Sequence, residues 1–180
     1  MKTNRKILAI GLMLLIAGIT TTIISFDPSQ ILKYIFIGVS LAVGVLGIAV
    51  GRQSKKNFLR SKYYWWVGLI LFGVAISLGI WATTLSGFIN VLGFFLILLG
   101  IIEFVFAQQI LVYATPTPWR LVGLKLVISA ITATGAAWIL TMAGISANIA
   151  LLFMGVLFVL IGLAFVQVSR IARQLELVPG

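Results

Sequence analysis

Six apolar stretches, each about as long as the ~20 residues a helix needs to cross roughly 30 Å of hydrocarbon, dominate this chain. They predict spans near Ile7–Ser25, Ile31–Val50, Tyr64–Thr84, Phe88–Gln108, Leu121–Met142 and Asn148–Val168. Lipid offers no hydrogen-bond partners, so a span must be a helix or part of a closed barrel. The runs are continuous and lack the period-two alternation of barrel strands, so helices are expected. Composition agrees. The chain is 62% hydrophobic and 9% charged, against roughly half and a quarter in soluble domains, and 180 residues cannot hide that excess in one small globule. The fold class expected is all-α, a polytopic membrane protein forming a single transmembrane domain over residues 1–180.

The first run carries a second reading. MKTNRK followed by ILAIGLMLLIAGI has the basic start and apolar stretch of a secretory signal. The apolar part is long and no A-x-A site closes it, so an uncleaved first helix is expected.

Lysine and arginine set the orientation. Lys2, Arg5 and Lys6 precede the first span; Arg52, Lys55, Lys56, Arg60 and Lys62 fill the gap between the second and third. Arg120 follows the fourth, and Arg170 and Arg173 follow the sixth, while the opposite side holds only Lys33. Both termini are therefore expected in the cytoplasm, with the cell inner membrane as the location. Tyr63, Tyr64, Trp65, Trp66, Tyr113 and Trp119 fall near span ends, where aromatic rings anchor at the interface. The tail, residues 169–180, could continue the last helix as an amphipathic piece on the inner leaflet.

A net charge of +10 would point to nucleic acid in a soluble protein. Here the basic residues sit in short gaps between apolar runs, so the expected partners are the bilayer and its anionic headgroups, at about 1 kcal/mol per charge. A second copy of the chain or another membrane protein is the other partner class; nucleic acid is not expected. There is no cysteine and no histidine, which excludes disulfides, thiol chemistry and the usual zinc, copper and haem ligands. Three scattered carboxylates make no magnesium or calcium cage. No metal, cofactor or catalytic residue is expected, and no enzyme activity.

The chain repeats itself. GLMLLIAGIT, GLILFGVAIS and GLKLVISAIT, in the first, third and fifth spans, share G-L-x-L, a small residue and a hydroxyl residue, anchored at Gly11, Gly68 and Gly123. In the even spans SLAVGVLG, GFFLILLG and GVLFVLIG align, ending at Gly47, Gly100 and Gly162. The reading is three parallel helical hairpins, residues 7–50, 64–108 and 119–168, related by an axis along the membrane normal. Small residues let helices approach closely where lipid supplies no hydrophobic drive. Gly11, Gly18, Gly47, Gly68, Gly93, Gly100, Gly123, Gly155 and Gly162 are accordingly expected to pack helices.

With its glycine-rich hairpins and its WWVGLILFGVAISLGI, WRLVGLKLVISAI, LLGIIEFVFA and FDPSQIL segments, the chain resembles the HdeD acid-resistance membrane protein family over nearly its whole length. The resemblance implies a bacterial inner-membrane protein linked to acid or general stress. It implies no catalytic residues.

Two charges break the repeat inside the spans. Glu103 occupies the position of Val50 and Phe165 in the even-span alignment, and Lys125 that of Met13 and Ile70 in the odd one. Glu103 is expected roughly 10 Å above the cytoplasmic end of its helix, with Lys125 nearer that surface. An intramembrane charge costs at least about 2.5 kcal/mol and rarely faces lipid. Three readings stand: an ion pair locking helices four and five, a carboxyl that stays protonated and donates a hydrogen bond to a neighbouring helix, or a protonatable site on an ion or proton path. Gln108, Gln109 and Gln167 are expected at the interface rather than along a pore. The function classes left open are an HdeD-like stress protein, a small transporter or channel centred on Glu103, and a structural or assembly subunit of a membrane complex.

Overall fold

The structure, a computed structural model, describes residues 2–24, 30–53, 58–114 and 117–176. Among these the chain forms six helices and no strand: α1 (Lys2–Ile24), α2 (Gln30–Gln53), α3 (Phe58–Trp81), α4 (Leu85–Tyr113), α5 (Trp119–Ala143) and α6 (Ala147–Glu176). All six are long and apolar enough to cross a membrane, as expected. Several helices outrun the expected bounds: α3 starts at Phe58 rather than Tyr64, α6 continues to Glu176 rather than Val168, and α4 runs on to Tyr113 rather than stopping at Gln108. Gln108 and Gln109 extend the apolar run without breaking the helix, because glutamine is a good helix former. Thr84 caps the other end, its hydroxyl accepting the Gly87 N–H at 3.0 Å.

Each helix contacts its chain neighbours, and α6 returns to pack on α1, so the six close into a ring. The contacts alternate in extent. α6 with α1, α2 with α3, and α4 with α5 pack closely; the pairs inside the expected hairpins (α1–α2, α3–α4, α5–α6) are sparser. The close pairs are antiparallel, since positions rising along one helix meet positions falling along the other.

The interior follows a spacing of alternating three and four residues. α1 buries Ile7, Ile10, Leu14, Ala17 and Thr21; α3 buries Tyr64, Val67, Leu71, Val74 and Leu78; α5 buries Val122, Lys125, Ser129, Thr132, Ala136 and Ile139. A mean period of 3.5 keeps one seam facing the partner helices, as in left-handed coils. Toward the end where α4 begins, Phe36 of α2 meets Phe88 of α4 and Phe158 of α6 edge-on, at centroid distances of 5.5 and 5.2 Å. The opposite faces expose leucine, isoleucine, valine and phenylalanine along the helices, a surface suited to lipid rather than water. Tyr34, Trp81, Trp66, Tyr113 and Trp119 stand exposed near helix ends.

Eight of the nine glycines expected to pack helices do so. A methyl on Gly162 would lie 2.8 Å from the Gly11 carbonyl oxygen and 2.6 Å from the Leu15 nitrogen. The same contact recurs twice: Gly44 on the Gly68 oxygen and Phe72 nitrogen, both 3.1 Å, and Gly100 on the Ser129 oxygen and Ala133 nitrogen, 3.3 and 3.1 Å. Gly18 and Gly155 meet each other's helix, Gly47 meets Gly68, and Gly93 takes Leu140. Gly123 is the exception, with open space where a side chain would point. On α5 the close approach falls at Ser129, six residues further on. Six residues are not a whole number of turns at 3.6 per turn, so Gly123 faces outward.

Candidate functional site: a buried triad of Tyr63, Glu103 and Lys125

Glu103 and Lys125 are the charged residues buried among the described residues, 5% and 1% exposed. Each falls on the inward 3-4 spacing of its helix: Glu103 continues Leu92, Leu96 and Leu99 on α4, and Lys125 follows Val122 on α5. Since α4 and α5 pack closely and antiparallel, the two side chains converge, with Lys125 Nζ 2.6 Å from Glu103 Oε2. Because α4 continues to Tyr113, Glu103 lies about 15 Å from its end, deeper than its place in the apolar run suggests, while Lys125 lies about 9 Å along α5.

The third member corrects an expectation. Tyr63 and Tyr64 adjoin Trp65 and Trp66 in sequence and share their expected place at the interface, yet both tyrosines are buried, and only the tryptophans are exposed. The Tyr63 hydroxyl donates to Glu103 Oε1 and accepts from Lys125 Nζ at 2.7 Å. Lys125 thus reaches the carboxylate directly through Oε2 and indirectly through the phenol. Its contact with Oε2 is a buried ion pair.

Aromatic rings enclose the ammonium. Nζ lies 4.2 Å from the centroid of Tyr63, 5.2 Å from Phe165 of α6 and 5.6 Å from Phe106 of α4. Phe106, three residues beyond Glu103, stacks on Tyr63 at 4.2 Å. Ring faces carry negative potential, so they favour a desolvated cation here. One turn away Ser129 Oγ donates to the Gly100 carbonyl at 2.7 Å, a second polar tie between α4 and α5. Four helices therefore meet at a site whose two charges cancel. In this contact register Glu103 corresponds to Gly47 and Phe165, and Lys125 to Ile7 and Tyr64; alignment by letters puts Val50, Met13 and Ile70 there instead.

The other residues singled out from the sequence stay apart from the triad. Gln108 and Gln167 are exposed and Gln109 half-buried. Arg52 and Lys62 are exposed, with the Arg52 guanidinium 5.7 Å from the Trp65 ring centroid. Lys55 and Lys56 lie outside the described residues, Arg60 belongs to the first turn of α3, and the side chains of the tail beyond Ser169 also lie outside them. Among the described residues no three His, Cys, Asp or Glu gather as a metal site would require. No known family model matches this sequence, and no curated protein or solved structure does.

Proposed function

We propose that this chain is a non-enzymatic, multi-pass protein of the bacterial inner membrane, HdeD-like in kind and linked to acid or general stress. The observation that carries the reading is the triad: its carboxylate, ammonium and phenol are spent on one another, which supports a closed, packed membrane body over a reactive centre. The arrangement as three hairpin repeats draws support from the glycine contact that recurs around the ring. Cytoplasmic termini draw support from Arg52 and Lys62, exposed at the end where α3 begins. That end would meet anionic headgroups.

The test is survival of a deletion strain after acid challenge. Loss of survival, restored by the wild-type chain and by a doubly apolar Lys125→Met, Glu103→Leu chain, is the expected result. Unchanged survival across acid and general stress would overturn the stress assignment.

A second reading, a proton or ion path, is favoured by one observation: Glu103 lines a cavity in the bundle interior. It predicts pH-dependent flux in proteoliposomes that Glu103→Gln abolishes while the protein stays folded. Silent liposomes from both chains would dismiss it.

A further inference from the structure

We infer that the end of the bundle where α2 stops and α3 begins holds one anionic phospholipid, its phosphodiester gripped by Arg52 with Lys62 beside it. The site rests on the bilayer reading above and is independent of the stress assignment. It goes beyond a general attraction between basic loops and headgroups, because these two cations are built onto a packed seam.

At Gly51 the backbones of α2 and α3 come close together. A methyl there would lie 3.0 Å from the Ser61 carbonyl oxygen and 3.1 Å from the Trp65 nitrogen. Ser61 Oγ donates to the Gly51 carbonyl at 2.8 Å and fastens the same end. The next residue, Arg52, is in the last turn of α2 and exposed. Its guanidinium sits over the Trp65 ring, 5.7 Å from the centroid. Lys62, three residues before Trp65, is exposed on the same side of α3.

Attraction to a ring face places a guanidinium without satisfying its five N–H donors. Among the described side chains the one carboxylate is Glu103, which is spent on Tyr63 and Lys125. Arg52 is therefore positioned by the protein but given no anion by it. A phosphodiester supplies one, since guanidinium N–H groups pair with phosphate oxygens in a matching fork.

Charge and surroundings select the guest. A zwitterionic headgroup brings its own cation to a place that already holds two, and the ring face that could take a choline is occupied by Arg52. From the cations inward, Val45 and Leu41 of α2 and Leu69 and Phe72 of α3 are exposed along the helices. They form an apolar wall against which an acyl chain can lie, and a free phosphate would leave that wall unused. Arg52 and Lys62 stand near helix ends, at the depth of the headgroups. The molecule carries its own comparison in Arg120, at the start of α5, which is equally exposed but rests on no ring among the described residues.

Native mass spectrometry of the purified full chain in detergent tests the site, with dioleoyl phosphatidylglycerol and dioleoyl phosphatidylcholine offered in equal amounts. Expected is several-fold greater retention of phosphatidylglycerol, falling to the phosphatidylcholine level in Arg52→Gln and unchanged in Arg120→Gln. Trp65→Leu, which keeps the charge and removes the ring, should lose part of the preference. Equal retention of the two lipids by the wild type, or an undiminished preference in Arg52→Gln, would overturn the site. An equal loss in Arg120→Gln would reduce it to diffuse charge attraction. Displacement of the lipid by excess inorganic phosphate would overturn the choice of a lipid as its occupant.

Discussion

The α6–α1 and α4–α5 seams make the same backbone contact out of different materials. At α6–α1 four glycines, Gly11, Gly18, Gly155 and Gly162, bring the backbones so close that a methyl on any of them would come within 3.0 Å of the facing helix. At α4–α5 the matching contact sets Gly100 against Ser129 and Ala133, with 3.1 Å or more for the same methyl. There the wider seam carries a serine–carbonyl hydrogen bond and the Glu103–Lys125 pair. Close approach holds one seam and polar pairing the other. In lipid both are effective, because neither relies on expelling water.

The largest effect expected comes from breaking the polar seam on one side only. Lys125→Met leaves Glu103 buried without a cation and should cost about 3–5 kcal/mol, read as a lower midpoint in SDS unfolding from mixed micelles. The double change Lys125→Met, Glu103→Leu should recover most of that loss, since apolar replacement of both partners is often close to neutral. A double variant as weak as the single one would mean that the pair is more than a lock.

Glycine substitution attacks the other seam. Gly155→Ala presses a methyl against the Thr22 hydroxyl oxygen and sets it 2.7 Å from the Thr22 backbone nitrogen, an overpacking worth about 1–3 kcal/mol. Gly100→Ala, with tenths of an ångström more room, should cost clearly less in the same assay. Equal losses would erase the distinction between the seams.

Tyr63→Phe removes a hydrogen bond donor from Glu103 and an acceptor from Lys125 while keeping the ring. A loss of about 1–2 kcal/mol is expected, and a thermal melt that does not move would show the phenol to be dispensable. Ser129→Ala is the smallest, about 0.6 kcal/mol, the mean for hydrogen bonds between membrane helices; a double-mutant cycle with Lys125→Met would show whether the two polar ties are coupled.

Hydropathy and small residues carry what is legible in the sequence. In lipid, long apolar runs become spans and glycines at spacing seven become close approaches, hence the six spans and eight of the nine packing glycines. Gly123 misleads because GLKLVISAIT matches the other odd helices in letters while its contact sits at Ser129 and Ala133. Serine and alanine also permit a close approach, if a slightly wider one, so a glycine match does not fix the register. Tyr63 escapes sequence reasoning because tyrosine near a span end usually marks the interface. A signal exists: Tyr64, Val67, Leu71, Val74 and Leu78 follow the inward 3-4 spacing, which places that end of α3 inside. Glu103 and Lys125 stand out as charges in apolar surroundings, but their shared tyrosine depends on how α3 meets α4, which no local pattern encodes.

The closure of α6 onto α1 has a consequence for how the protein is made. Four helices separate these two along the chain, so during synthesis α1 enters the bilayer long before its tightest partner exists. Until then its glycine face must rest against lipid tails or a surrogate helix. The pairs α2–α3 and α4–α5 can join as soon as their second helix inserts, whereas the ring closes last, on a contact of high sequence separation. Assembly is thus a clasp fastened at the end, and a membrane insertase that shields a glycine-lined helix would have its longest task at α1.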